Sequence, residues 1–233
     1  MIAGWLGSAA PVRSIRWLDG VLAVAAKLGP ATAIAAGDAT WLELASDRAA
    51  RAGVTCMGIT TDLKLDYLGW AQIVGAAVRD LKATTVLVDE VSRPERFPEV
   101  AAIAEVLDVV QLTRVIALAA NPSSAGVRSG ADATRSWIDT NVLHASRISG
   151  REVQTIRIKG PAVLGIRIAG APLEDYPTPT PSKTLVRRDL PSLGLDPLVL
   201  GHRALPPRAT TQTKKTVEHI GDHLAYHLAP RGS

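Results

Sequence analysis

The chain has 233 residues, of which 47% are hydrophobic but only 4% aromatic, so its core must consist mainly of aliphatic side chains. The net charge of +4 is modest and the basic residues are dispersed, with few aromatics between them, which argues against nucleic-acid binding. No apolar run reaches the roughly 18 residues of a membrane span. The single cysteine, Cys56, excludes an internal disulfide and multi-cysteine metal sites. We therefore expect a soluble, cytoplasmic protein without membrane insertion.

The first half of the chain shows a regular alternation of apolar runs and helical patterns. A short first strand is expected at the amino terminus. The elements predicted after it are, in chain order, a strand over ATAIAAGD, a helix over residues 40–52, a strand over TCMGITTD, a helix over residues 66–81, a strand over TTVLVDE, a helix marked by Val100, Ile103 and Leu107, and a strand over VVQLTRVIAL. This alternation is typical of a parallel sheet covered by helices on both faces, with ligands at the carboxyl ends of its strands.

The second half of the chain follows a different pattern. A stretch rich in Ser, Gly and Ala over residues 122–136 indicates a loop. VQTIRIK and AVLGIRI alternate with period two on either side of Gly160-Pro161, which predicts an antiparallel hairpin added to the sheet. The proline-rich APLEDYPTPTPSK indicates an extended segment, and a helix is expected over residues 216–228.

Together these patterns predict an α/β fold, a Rossmann-like parallel sheet with an added antiparallel hairpin and an extended C-terminal arm. The α/β domain is expected over residues 1–190 and the arm over residues 191–233.

Common catalytic motifs are absent from the sequence, which contains no G-x-G-x-x-G, P-loop, G-x-S-x-G or H-E-x-x-H. His219, His223 and His227 recur every four residues and would share one helix face. No carboxylate completes a ligand set there, so we predict the polar face of an amphipathic helix and no metal. Cys56 is expected to be a small core residue, because nothing basic lies beside it to lower its pKa.

Three aspartates, Asp38, Asp62 and Asp89, each end a predicted parallel strand. That sheet edge is where α/β proteins collect ligand groups. A carboxylate there either binds a ribose hydroxyl or caps the following helix, and capping is the commoner role. The sequence leaves both alternatives open.

Four segments of the chain carry a family resemblance through their order and spacing. They are LDVVQLTRV, REVQTIRIKGPAVLGIRI, EDYPTPTPSKTLVRRDLPSLGL and PPRA. This pattern resembles the beta subunit of the electron transfer flavoproteins. The resemblance covers roughly residues 19–209 and is most specific where an acidic, proline-bearing loop precedes Tyr176-Pro177.

The resemblance implies a subunit without catalytic residues of its own. It would pair with an alpha-type subunit that holds most of the FAD, and the arm over residues 191–233 would pack on that partner. The heterodimer would shuttle electrons from a dehydrogenase to an acceptor. Beta subunits of this family commonly bind AMP as well.

In the family, the nucleotide site combines three strand-end regions. By order along the chain they fall on the segment before Val12, on Ala36-Gly37-Asp38, and on residues 92–103. The middle region keeps the family pattern, so the resemblance implies cofactor contacts from Ala36, Gly37 and Asp38. The other two regions depart from it.

The loop SRPERFPEVAAI lacks the Gln-Thr-Gly of the family. Pro94 and Pro98 each remove a backbone donor. Glu95 and Glu99 bring negative charge to the first turn of the helix, which stabilises the helix but repels phosphate. The usual mode of AMP binding is therefore not expected at this loop.

Two interpretations of the loop stay open. Ser92, Arg93 and Arg96 would bind a phosphate through their side chains, which is a different site from a backbone cradle. The alternative is a capped helix start with Pro98 at the first position.

The resemblance places a docking loop at Tyr176, Pro177 and Pro179. In the family, an apolar residue two or three positions after the Tyr-Pro pair anchors this loop on a dehydrogenase. Because Pro179 stands at that place, we expect a client other than the usual acyl-CoA dehydrogenase. The rival hypotheses are a stand-alone adenine-nucleotide-binding α/β protein and a nucleotide hydrolase that uses the strand-end acids.

Overall fold

A computed structural model of the protein describes residues 1–8, 15–90, 97–120, 142–167 and 185–201. In chain order the described elements are β1 (Ile2–Ser8), α1 (Ile15–Leu28), β2 (Ala31–Gly37), α2 (Ala39–Arg51), β3 (Thr55–Thr60), α3 (Tyr67–Asp80), β4 (Thr85–Asp89), α4 (Phe97–Leu107), β5 (Val110–Ala120), β6 (Val142–Ser149), β7 (Glu152–Lys159), β8 (Ala162–Ile166), β9 (Leu185–Arg188), a 3-10 turn (Pro191–Leu193) and α5 (Pro197–Gly201). None of the described helices is long and apolar enough to cross a membrane.

All the described strands form one sheet, in the order β7-β6-β5-β8-β4-β1-β2-β3-β9. Every pairing from β5 across to β9 is parallel, while β6 is antiparallel to both β5 and β7. The predicted fold class, a Rossmann-like sheet with an antiparallel addition, is confirmed in these residues. Of the predicted arm, the structure describes only the part up to Gly201, which holds the 3-10 turn and α5.

The helices cover the sheet on both faces. Residues of α1 and α2 share one buried cluster with the sheet, and residues of α3 and α4 share the other. Chain direction explains the two layers, because β1, β2 and β3 advance one way across the sheet and α3 then returns the chain to the far side of β1. The carboxyl ends of β1 and β4 therefore flank the switch point of the sheet, where ligands bind in folds of this class.

Most predictions for the first half of the chain are confirmed to within one or two residues. The first strand is present as β1, and the predicted strands and helices up to residue 120 appear as β2 to β5 and α2 to α4. Two of the helices begin where an aspartate caps them, since Asp38 accepts a hydrogen bond from Trp41 N and Asp66 accepts one from Gly69 N. No element was predicted over residues 15–28, where the structure places α1.

The predicted hairpin between VQTIRIK and AVLGIRI is wrong. The antiparallel partner of β7 is β6, and the two are joined by a turn in which Gly150 has φ of 61°. β8 instead lies between β4 and β5 and is parallel to both. The five residues of β8 are all buried, as is typical of an inner parallel strand, whereas burial in β7 largely alternates.

β5 is divided by irregular pairing near its middle. Its register shifts between Leu112 and Val115 against β8, and between Val115 and Ala117 against β6. Arg114 lies between Leu112 and Val115 and has φ of 59°, a left-handed conformation that suits a β-bulge. The bulge lets the first half of β5 pair with β8 and the second half with β6.

Helices α3 and α4 pack closely at Gly75. A Cβ atom at Gly75 would lie 2.5 Å from Cγ1 of Val106, and a valine side chain has little freedom to move away. The two helices therefore approach as far as they do because this position has no side chain.

We predict that Gly75→Ala destabilises the protein by about 1–2 kcal/mol, because overpacking costs about 1–3 kcal/mol and improved helix propensity returns at most about 1 kcal/mol. Urea unfolding measures the change, and Val106→Ala in the same chain should recover part of the loss. Gly201→Ala is the control, since no atom lies within 4 Å of its added Cβ. Equal stability of Gly75→Ala and wild type would contradict this packing.

Candidate functional site

The candidate site is the carboxyl edge of the sheet around β1, β4 and β2. Two buried tryptophans close the switch point from either face. Trp41 of α2 donates its indole N–H to the carbonyl oxygen of Gly7 at 3.1 Å, where β1 ends and Gly7 has φ of 89°. Trp5 of β1 donates its indole N–H to Glu99 on the opposite face. Each face of the sheet beside the switch point therefore carries a buried tryptophan whose indole N–H is hydrogen-bonded.

Ala36, Gly37 and Asp38 lie at the end of β2, next to this switch point. Ala36 and Gly37 are buried, and the carbonyl oxygen of Gly37 accepts a hydrogen bond from Thr61 N at 3.1 Å. Asp38 is exposed, and its side chain accepts from Trp41 N at 2.8 Å. The capping interpretation of Asp38 is confirmed, and a cofactor contact from these three residues stays a prediction.

The other two strand-end aspartates have different environments. Asp62 is exposed in the loop after β3, while Asp89 is buried at the end of β4. Since β1 and β2 lie between β4 and β3, the two strand ends are roughly 14 Å apart at the usual strand spacing. The described residues contain no group of three side chains that would hold a metal ion.

Glu99 is a buried carboxylate in the first turn of α4. Its Oε1 atom accepts the indole N–H of the fully buried Trp5 at 2.6 Å. A tryptophan N–H in a core needs an acceptor. Glu99, which is 94 positions away in the sequence, supplies that acceptor. Glu99 was expected to stabilise the helix start through its charge; the structure adds that it ties α4 to β1.

We predict that Glu99→Ala lowers the free energy of unfolding by about 1–3 kcal/mol, the usual cost of a buried donor without an acceptor. Glu99→Gln keeps a carbonyl oxygen for Trp5 and should lose less. Chemical denaturation measures both variants. Glu105→Ala, at an exposed position of the same helix, is the control and should stay within about 0.5 kcal/mol of wild type. A loss in Glu105→Ala as large as that in Glu99→Ala would rule out the indole contact as the cause.

Glu90 follows β4 directly and was not singled out from the sequence. Its carboxylate is buried and crosses β8 to reach β5, where Oε2 accepts a hydrogen bond from Arg114 N at 2.5 Å. The crossing passes over Gly165, since a Cβ there would lie 2.5 Å from the Glu90 carboxyl carbon. Two sequence features could have indicated this contact. One is an acid directly after a buried strand, and the other is a glycine inside another strand.

The electrostatic setting of Glu90 is unfavourable for its charged form. Burial raises the pKa of Glu90, although the Arg114 N–H bond and the charges of Arg167 and Arg114 act to lower it. The Arg167 Nε atom lies 3.6 Å from Oε2, and Oε1 has no hydrogen-bond partner among the described residues. The neighbouring Asp89 raises the pKa further.

Because the folded state binds this proton more tightly than the unfolded chain, stability should fall as pH rises from the ordinary glutamate pKa to the raised one. We predict that wild type loses stability relative to Glu90→Gln over that window, and that the variant melts no lower than wild type at neutral pH. Melting curves across pH test this. Asp189→Asn is the control with the opposite slope, because hydrogen bonds from Ser192 lower the pKa of Asp189. A wild-type advantage that grows with pH would mean that the arginines outweigh burial at Glu90.

Cys56 is buried in β3, and burial raises its pKa to about 12. The thiol is therefore unreactive and serves the core, as expected. The remaining candidate residues lie outside the described residues. These are Ser92, Arg93 and Arg96 of the β4–α4 loop, Tyr176, Pro177 and Pro179 of the docking loop, and His219, His223 and His227 of the arm.

No family model matches this chain, and no curated protein matches it.

The starts of α2 and α4 offer a poor fit to the phosphate of AMP. At α2 the first free N–H groups face the carboxylate of Asp38, and at α4 the buried carboxylate of Glu99 occupies the first turn. A phosphate needs free N–H donors and a positive field, and both helices present a carboxylate instead. No step of the function is therefore based on AMP.

Proposed function

We propose that this chain is the beta-like subunit of an electron transfer flavoprotein. Its partner would be an alpha-type subunit that carries FAD, and the pair would pass electrons from a dehydrogenase to an acceptor. When bound, the FAD supplies the redox chemistry. This chain would bury one side of the cofactor with the strand ends of β1 and β2, including Ala36 and Gly37.

The observation that carries the proposal is the exposed apolar surface at the start of the C-terminal arm. In α5, Leu198 is 78% exposed and Val199 is 60% exposed. The next residue, Leu200, is buried in the core. Single exposed apolar residues are common, but two adjacent ones on a short helix are typical of a segment that packs on another subunit. This placement agrees with an arm that packs on the alpha-type partner.

The path of the chain around the docking loop also supports the proposal. The segment with Tyr176 and Pro177 lies between β8 and β9, and β9 then pairs in parallel with β3 at the far edge of the sheet. Ion pairs fix β9 to neighbouring helices, Arg187 to Glu43 of α2 and Arg188 to Asp80 of α3. The strands on either side of this segment in the sequence, β8 and β9, both belong to the sheet, which agrees with a docking loop presented between them.

We predict that co-expression with an alpha-type subunit yields a yellow complex with one copy of each chain. Leu198→Asp together with Val199→Asp should reduce recovery of that complex by at least about tenfold, because charged side chains in an apolar interface lose their hydration. Val110→Asp is the control, since Val110 is 60% exposed but lies in β5. Absorbance and mass determination of the purified complex provide the measurement.

The main rival is a stand-alone adenine-nucleotide-binding protein, and one feature favours it. The Oε1 atom of Glu90 is buried at the carboxyl edge and has no hydrogen-bond partner in the part of the chain that the structure describes, and a ribose hydroxyl would satisfy it. Calorimetry of the isolated chain with AMP separates the two hypotheses. Tight AMP binding by a colourless chain that ignores the alpha-type subunit would reject the electron-transfer proposal.

A further inference from the structure

β7 forms one border of the described sheet and pairs only with β6 among the described strands. A border strand has backbone N–H and C=O groups directed away from the sheet, which makes it a template for another strand. β7 is eight residues long, enough for a stable ladder with an added segment.

The two faces of β7 differ in burial. Ile156 and Ile158 lie on the face that packs into the core. The opposite face, which we call the open face, consists of Val153, Thr155, Arg157 and Lys159 on β7, and all four are exposed. It is apolar at one end, where Val153 is 62% exposed and lies opposite the exposed Ile148 of β6, and basic at the other, where Arg157 lies opposite His144.

A second copy of this chain is a poor occupant for the border. Two β7 strands related by a twofold axis would pair antiparallel with their open faces on the same side, so residues directly opposite each other must share a face. Glu152 lies on the other face from Arg157 and Lys159, so it is never directly opposite either. Every such register places basic residues opposite basic, apolar or small uncharged ones.

We propose that β7 is a docking edge for an extended, acidic segment of another protein. The register defines the segment, because acidic side chains suit the positions opposite Lys159 and Arg157, and apolar side chains suit those opposite Ile158 and Ile156. A residue of moderate size suits the position opposite Thr155, and an apolar residue suits the position opposite Val153. The occupant is thus a strand that alternates acidic and apolar residues at one end, and it adds to the sheet by backbone hydrogen bonds.

The test uses the full chain and a capped heptapeptide, Glu-Val-Glu-Val-Thr-Thr-Val, with a second peptide that has lysine in place of both glutamates. The acidic peptide should bind, should weaken as salt is raised, and should protect alternate β7 amides from hydrogen exchange measured by NMR. The lysine peptide should bind at least about tenfold more weakly, given the usual size of exposed charge pairs.

A charge swap completes the test. Arg157→Glu with Lys159→Glu should reverse the preference, so that the lysine peptide binds more tightly than the acidic one. Arg51→Glu with Lys64→Glu makes the same change in net charge at exposed positions on the β3 side of the sheet and should leave the preference unchanged.

Three results with the peptides would overturn the proposal. They are equal binding of the two peptides by wild type, protection of amides outside β7 by the acidic peptide, and a fall in affinity in the control variant as large as in the β7 variant. Concentration-dependent protection of β7 without peptide would show self-association and would also overturn it.

Discussion

The contact between Glu90 and the backbone of Arg114 is the constraint on which the second half of the fold depends. A carboxylate leaves the end of β4, passes over β8 where Gly165 has no side chain, and accepts the N–H of a residue in the bulge of β5. Arg114, with its left-handed backbone, lies where the register of β5 shifts, and the Glu90 carboxylate accepts its N–H there. Glu90 therefore supplies a hydrogen-bond acceptor at the irregular point where β4, β8 and β5 meet.

The route of the chain explains why that point has to be irregular. β8 pairs with the first half of β5, and β6 pairs with the second half. Only Gly160 and Pro161 separate the end of β7 from the start of β8, and Gly160 has φ of 89°. Two residues are too few for the chain to run back along the length of a straight β5. The bulge must therefore bend β5 and bring β6 and β7 back toward β8.

The sequence predicted the first half of this fold well because each element there is specified locally. Asp38 and Asp66 mark two helix starts by capping, and the apolar run of each strand matches its burial. The second half is specified by contacts between distant residues. β6 has the sequence VLHASRIS, which lacks the alternation of a half-buried strand, and its pairing depends on β5 and β7. The pairing of β8 with β5 likewise depends on the bulge at Arg114, which no local sequence pattern predicts.

The same distinction separates the predicted and unpredicted parts of the candidate site. Helix capping was one of the two roles that the sequence left open for Asp38, whereas Glu99 and Glu90 act through Trp5 and Gly165, far away in sequence. All three carboxylates are engaged by groups of the chain itself at the edge where ligands of this fold class usually bind. Exposed apolar and basic side chains lie on other parts of the described surface, among them α5 and β7. Since an exposed apolar side chain contributes binding energy only when a partner covers it, these two surfaces are the places where the proposed association with other chains would gain its binding energy.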